Sequence, residues 1–168
     1  IIPTGSELVS ALETPQRGQL IEYNSLILVG QIANAGGRSH VTDIVSDNRE
    51  KLFNVIQKTL NNKPDLILIL SGSSAGSRDF TASVIQELGE ILVHGIAVRP
   101  GHPVIIGMVQ NIPVIGVPGY PVSAALTGEI FVVPLIYQWL GLNPPKSETI
   151  EAISSQKLMS PTGDDDFI

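Results

Sequence analysis

The feature that most constrains the fold is an apolar run at residues 66–70, which leads directly into a Gly/Ser-rich segment at residues 71–79. Five consecutive Leu and Ile residues predict a strand that is buried on both faces. A helical pattern follows at residues 80–88. Such a strand–loop–helix unit offers backbone N–H groups and hydroxyls, so we expect an anion such as a phosphate at residues 71–79. Gly72 and Gly76 match neither common nucleotide-binding spacing.

Further helices and strands alternate along the chain. The helix predictions are 25–35 after Asn24 as N-cap, 49–60 after Asp47 as cap, and 122–140 with a kink at Pro134 and an end at Gly141. The strand predictions are 38–45, 90–98, 104–108 and 112–117. This alternation predicts an α/β fold, a three-layer α/β/α sandwich with a mostly parallel sheet and a short antiparallel hairpin near residues 90–117.

Length and charge narrow the class of protein. A chain of 168 residues can bury a self-sufficient core, and a net charge of −6 argues against non-specific nucleic-acid binding. The uncharged stretch at 104–128 is broken by three prolines, which argues against a membrane span. With no cysteine and no visible signal peptide, we expect a cytoplasmic location.

The two ends of the chain predict a module from a longer protein. Residue 1 is not Met, and the Asn-Pro-Pro sequence at 143–145 is typical of a linker. Residues 149–153 alternate like a new strand. We therefore expect one domain at residues 1–142, with 143–168 forming a linker and the start of a following β domain.

Four loops are predicted at the carboxyl ends of strands, where ligands bind in sheets of this type. They lie at residues 4–7, 46–48, 71–79 and 118–121. Three of them supply a carboxylate, from Glu7, Asp47 and Asp79. Carboxylates that converge at a phosphate site predict a divalent cation, most often Mg²⁺.

Four motifs in this order resemble the Mog-like domain of the MoeA and gephyrin E-domain family, the molybdopterin molybdenumtransferases. They are T-G-S-E-L-V at 4–9, S-G-S-S-A-G at 71–76 with Asp79, R-P-G-H-P at 99–103, and P-G-Y-P-V-S-A at 118–124. The resemblance implies insertion of molybdate into adenylylated molybdopterin with release of AMP, with Mg²⁺ as cofactor. It also implies a homo-oligomer, a dimer in the full-length protein and a trimer as one option for the isolated domain, with no nucleic-acid or membrane partner.

The resemblance assigns site residues position by position. The catalytic and metal-binding set is Glu7, Asp47 and Asp79. The substrate-binding set is Thr4, Gly5, Ser71, Gly72, Ser73, Ser74, Gly76, Arg99, Pro100, Gly101, His102, Pro118, Gly119, Pro121 and Ser123. This sequence departs from the family pattern at Ser6, His102 and Tyr120, where the family usually has Asp, Lys and Asn.

Other interpretations stay open. Asp79 and Asp47 could be helix N-caps, Arg78 could be a surface residue, and a serine nucleophile is disfavoured because no G-x-S-x-G motif is present. The R-D-x-T sequence at 78–81 resembles Mog-type proteins, so adenylyl transfer to molybdopterin is one alternative function. A non-catalytic module that binds or senses the cofactor is another.

Overall fold

A five-stranded sheet forms the centre of the computed structural model, which describes residues 1–70, 80–145, 149–160 and 162–168. In chain order its strands are β1 (Ile2–Pro3), β4 (Ile67–Leu70), β5 (Glu90–His94), β7 (Ile105–Val109) and β8 (Ile112–Val117). Their order across the sheet is β1-β4-β8-β7-β5. Strands β1, β4 and β8 are parallel, and β7 is antiparallel to both β8 and β5. Four strands therefore share one direction, and β7 opposes them.

Two hydrophobic clusters on opposite faces of the sheet define the three layers. Along β4, Ile67 and Ile69 belong to one cluster, whereas Leu68 and Leu70 belong to the other. This division follows the two-residue repeat of a strand. Helices α2 (Arg49–Leu60) and α3 (Phe80–Leu88) pack in the first cluster. Helix α1 (Asn24–Asn34) and the C-terminal helix (Pro121–Trp139) pack in the second. The predicted α/β fold is confirmed, and β4 is buried along its whole length, as predicted.

The C-terminal helix changes hydrogen-bond pattern close to its internal proline. It consists of α4 (Pro121–Thr127), a π-helical turn (Gly128–Val132) and α5 (Val133–Trp139). The N–H of Val133 donates to the carbonyl of Gly128, five residues earlier, and Pro134 follows. Proline has no N–H and crowds the preceding turn, so a widened turn accommodates it. The sequence predicts a kink at Pro134, and the structure has a π-helical turn that ends two residues before this proline; Gly141 follows the helix with a φ of 67°.

This helix is the one described segment with the length and apolar composition of a membrane span, at 19 residues and a mean hydropathy of 1.3. A third of that window is buried inside the fold. Its buried residues include Ala124, Val132 and Ile136, which pack with Leu28 and Ile32 of α1. A helix whose apolar face covers a sheet passes the same composition test, so the segment is weak evidence for a membrane.

Three strand predictions are wrong in extent. Residues 38–44 form no strand, and Val45 alone makes a parallel bridge to Thr4 at the edge beside β1. The strand predicted at 90–98 is divided into β5 and β6 (Val98–Arg99) because the chain turns at Gly95, whose φ is 87°. Residues 149–153 contain no strand.

Two small pairs of strands complete the described fold. Strands β2 (Leu8–Val9) and β3 (Leu20–Ile21) are parallel, and they bring the segment after β1 next to the start of α1. Strand β6 pairs in parallel with β9 (Asp165–Asp166), which lies near the C-terminus. The C-terminal segment therefore contacts the same domain through β6.

Candidate functional site

The ends of three parallel strands lie side by side at one edge of the sheet. Pro3 at the end of β1 pairs with Leu70, and Leu70 at the end of β4 pairs with Val117 at the end of β8. The segments that follow these strands therefore leave the sheet at the same level. This is the edge at which sheets of this class bind ligands. The predicted loops at 4–7 and 118–121 both lie there.

The loop between β5 and β7 reaches the same edge from the other side. Ile105 at the start of β7 pairs with Gly116 and with His94 at the end of β5. The loop is closed by two backbone hydrogen bonds, from Gly95 N–H to Val104 O at 2.8 Å and from Ile96 N–H to His102 O at 2.9 Å. The R-P-G-H-P motif at 99–103 therefore lies at the same edge as the two loops above.

Thr4 lies at this edge, but its hydroxyl is used inside the fold. Its side chain is buried, and both its N–H and its Oγ1–H donate to the carbonyl of Leu70, at 2.8 and 2.9 Å. The neighbouring Gly5 donates its N–H to Val45 O at 2.9 Å. These bonds join the ends of β1, β4 and the Val45 bridge. The contribution of Thr4 is to fix where the loop begins.

Gly5 lets the Glu7 side chain fold back over the loop. A Cβ on Gly5 would lie 2.9 Å from Glu7 Oε2 and 2.8 Å from Leu8 Cγ, closer than real Cβ atoms approach. The carboxylate of Glu7 is therefore packed against the α-carbon of Gly5, at the edge of the sheet. Only glycine allows this approach without movement of Leu8.

A pair of reciprocal hydrogen bonds joins this loop to the loop before α2. Ser6 N–H donates to Asp47 Oδ2 at 3.0 Å, and Asp47 N–H donates to Ser6 Oγ at 2.9 Å. Asp47 is therefore joined to the residue that precedes Glu7. Its interpretation as the helix cap is wrong, because Asn48 is the N-cap of α2 and accepts from Lys51 N–H at 2.9 Å. The carboxylate of Asp47 faces the other loop instead.

The loop at 99–103 is shaped by backbone geometry and an ion pair. The Arg99–Pro100 peptide bond is cis, and Gly101 has a φ of 125°. His102 is exposed. Arg99, predicted as an anion ligand, has its Nε 2.5 Å from Oδ2 of Asp164. The guanidinium thus lies at the predicted edge but already has an acidic partner.

Asn24 is a residue of this edge that sequence reasoning missed. It was predicted as an N-cap, but the cap position is Tyr23, and Glu22 accepts from Ser25 N–H at 2.9 Å. The Asn24 side chain donates instead to Gly119 O at 2.6 Å, which fixes the loop at 118–121. Its Oδ1 is buried with no hydrogen-bond partner among the described residues. The sequence signal was Glu22, which lies three residues before Ser25 and accepts from its N–H, so that the Asn24 side chain is available to bind another loop.

The remaining predicted residues divide into two groups. Pro118 and Ser123 are buried, and Pro121 begins α4, so this loop reaches the edge mainly through Gly119 and Tyr120. The predictions on Ser71, Gly72, Ser73, Ser74, Gly76, Arg78 and Asp79 lie outside the described residues.

The predicted metal set, Glu7, Asp47 and Asp79, stays a prediction, because Asp79 lies outside the described residues. Within the described part of the chain, no three acidic or His side chains lie together as a metal cluster. Glu7 and Asp47 nevertheless come from two loops joined through Ser6, and Asp47 uses one carboxylate oxygen in that contact. Two carboxylates on a polar edge are a donor set that fits Mg²⁺, which prefers oxygen ligands and keeps several waters.

Comparison with known proteins identifies the family. The family model described as "Probable molybdopterin binding domain" matches residues 1–138. MoeA, a molybdopterin biosynthesis protein from Pyrococcus horikosii, has a solved structure 40% identical to this chain, with a TM-score of 0.75 over 83% of this chain and 34% of that one. Molybdopterin molybdenumtransferase 2 of Mycobacterium tuberculosis is 32% identical over 99% of this chain and 42% of its own length.

A third comparison concerns the fold alone. The tungsten cofactor synthesizing protein MoaB from Pyrococcus furiosus is 15% identical, with a TM-score of 0.61 over 83% of this chain and 93% of that one. The chain therefore spans nearly all of a MoaB structure but only about two fifths of the transferase that it matches. Because the family model covers most of its residues, this chain belongs to the molybdopterin-binding domain family.

Proposed function

We propose that this chain is the molybdopterin-binding module of a molybdenum cofactor biosynthesis protein, and that the whole protein inserts molybdate into adenylylated molybdopterin and releases AMP. The observation that carries the proposal is the strand register, which brings the loops at 4–7, 99–103 and 118–121 to one edge. The names of the relatives support this reaction class. The chain covers 35% and 42% of two of them, so we propose that further domains take part.

The loops at this edge carry side chains of opposite charge, which we expect to bind different parts of the ligand. Arg99 and His102 lie on the loop between β5 and β7, where a guanidinium and an imidazole can donate hydrogen bonds to phosphate or molybdate oxygens. Glu7 and Asp47 lie at the opposite end of this edge, beside β1, and their loops are joined through Ser6. This separation of cationic and acidic side chains suits a ligand that carries both an oxyanion and a metal-bridged phosphate.

We propose that Glu7 and Asp47, with Asp79, hold Mg²⁺ at this edge. When bound, Mg²⁺ stabilises negative charge on the phosphoryl oxygens of the adenylate. The residues of this chain would hold the ligand in position at this edge. Asn24 donates to the Gly119 carbonyl, and this bond fixes the loop at 118–121 at the edge where the ligand would bind. We further propose a cytoplasmic location and a homo-oligomer, a dimer in the full-length protein.

Calorimetric titration with adenylylated molybdopterin tests the proposal. We expect Mg²⁺-dependent binding by the wild-type chain, weakened about tenfold or more in Arg99→Gln and Asp79→Asn, since a hydrogen bond to a charged group contributes about 1.5–3 kcal/mol. Arg38→Gln is the matched control. Thr42 N–H donates to Ile1 O, so residue 38 lies beyond the opposite end of β1.

Two outcomes contradict the proposal. Equal weakening by Arg38→Gln and Arg99→Gln would show a general charge effect with no local site. Absence of binding both by this chain and by the full-length protein would exclude the ligand. Where the full-length protein binds, addition of molybdate is expected to release AMP, which chromatography measures directly.

A further inference from the structure

The C-terminal acidic segment lies directly on the proposed oxyanion loop. Strand β9 pairs with β6, with Val98 opposite Asp165 and Arg99 opposite Asp166. Two backbone hydrogen bonds fix this contact, from Asp165 N–H to Ala97 O and from Phe167 N–H to Arg99 O, each 2.8 Å long. The backbone of Arg99 is thus held on one side by a segment more than sixty residues later in the chain.

The same segment also occupies the Nε–H group of the Arg99 guanidinium. Asp164 Oδ2 lies 2.5 Å from Arg99 Nε, and the Asp164 side chain is only 16% exposed, against 58% for Arg99. The second ion pair among the described residues, Arg49–Glu87, is close to half exposed on both sides. The Arg99 pair therefore differs in having a shielded carboxylate.

A carboxylate and an oxyanion need the same donors. A guanidinium recognises tetrahedral anions best through two parallel N–H groups, and Asp164 occupies Nε, one of the positions from which such a pair is formed. A fixed negative charge beside Arg99 also repels an approaching dianion. An anion at Arg99 must therefore displace Asp164 or bind beside it with fewer hydrogen bonds.

We propose that Asp164 is an internal competitor for Arg99, which sets the affinity of the loop at 99–102 for tetrahedral dianions such as molybdate. This inference rests on the proposed function, because it assumes that Arg99 receives the oxyanion. Asp164 acts through Arg99 and is not a catalytic residue. It keeps the site closed to weakly bound anions, and release of the Asp164 carboxylate opens it.

The test is a calorimetric titration of molybdate into the wild-type chain and into Asp164→Asn, Asp165→Asn and Arg99→Gln. Asp165→Asn is the matched control, since it removes the same charge one residue away, at an exposed position on the other face of β9. We expect Asp164→Asn to bind about tenfold more tightly than wild type, Asp165→Asn to stay within about twofold, and Asp164→Glu to bind like wild type.

Four results would overturn the inference. Equal affinity of Asp164→Asn and Asp165→Asn would leave Asp164 no competing role. Weaker binding in Asp164→Asn with a lowered Tm would mean that Asp164 holds Arg99 in place for the anion. If Arg99→Gln binds molybdate as wild type does, or if no variant binds it, Arg99 does not receive the oxyanion. The proposed oxyanion site and the role of Asp164 are then both wrong.

Discussion

The Ser6–Asp47 contact is the residue-scale link between the two acidic loops. Ser6→Ala removes the hydroxyl that accepts from Asp47 N–H, and it leaves the Ser6 N–H to Asp47 bond in place. We expect the free energy of unfolding to fall by about 0.5–1.5 kcal/mol, the usual net contribution of one hydrogen bond. Urea denaturation measures the change.

Ser39→Ala is the control for that substitution. Ser39 is also exposed, and it lies in the segment beyond the opposite end of β1. A surface substitution of this kind is expected to change stability by less than about 0.5 kcal/mol. Equal effects of the two substitutions would show that the loop-to-loop bond does not stabilise the fold.

At the residue scale, the sequence predicted where the loops lie in the fold better than it predicted which side chains contact each other. The strand predictions correctly placed residues 4–7 and 118–121 at one edge, because each segment directly follows a buried strand; that residues 99–103 reach the same edge was not predicted. The sequence did not reveal that the Thr4 hydroxyl is used by Leu70 or that Asp164 pairs with Arg99. Those partners are 66 and 65 residues away in the chain, and no local pattern encodes them.

At the element scale, two helix glycines with different surroundings test how closely α1 packs against the C-terminal helix. Gly30 in α1 is exposed, and a Cβ there would meet nothing within 4 Å. Gly128 begins the π-helical turn, and a Cβ there would lie 2.0 Å from Gln31 Oε1 and 2.9 Å from Leu28 Cδ2. Gln31 is held in this place by its Nε2–H, which donates to Ala125 O at 2.9 Å.

The two alanine substitutions are therefore expected to have opposite signs. Gly30→Ala should raise the free energy of unfolding by about 0.5–1 kcal/mol, because alanine loses less backbone entropy in a helix. Gly128→Ala should lower it by about 1–3 kcal/mol, because the Gln31 side chain must move and Leu28 is overpacked. Thermal and urea unfolding of the two variants measure both values. A stabilising Gly128→Ala would mean that α1 and the π-helical turn are not in close contact.

Helices were predicted more accurately than strands, and the reason is physical. The spacing of Leu52, Ile56 and Leu60 identifies the buried face of α2 without knowledge of any partner. A strand also needs a neighbour with free backbone groups. Residues 38–44 alternate as a strand would, yet in the described part of the chain their backbone bonds to the segment around β1 are confined to Ile1, through His40 O and Thr42 N–H. The one strand-like bridge there is formed by Val45 with Thr4. The alternation at 149–153 has no strand partner among the described residues.

At the scale of the whole molecule, the sheet separates two cores, and among the described residues no side chain belongs to both. Ile56 of α2 belongs to the cluster on one face, and Ile115 of β8 belongs to the cluster on the other. Both are buried, at 0% and 3% exposure. The continuous apolar runs predict strands that are buried on both faces of the sheet. Which helix covers which face depends on the order of strands across the sheet. That order is set by contacts distant in sequence.

The separation predicts additive effects on stability. Ile56→Val and Ile115→Val should each lower the free energy of unfolding by about 0.5–1.5 kcal/mol, and the double variant should lose the sum within about 0.5 kcal/mol. Ile56→Val with Ile67→Val, both in the first cluster, is the control pair, and shared neighbours should make its effects depart from additivity. Urea titration of all five variants gives both coupling energies. Coupling across the sheet as large as coupling within one cluster would mean that the strands transmit packing changes between faces, and the edge that carries the loops would then respond to both cores as one unit.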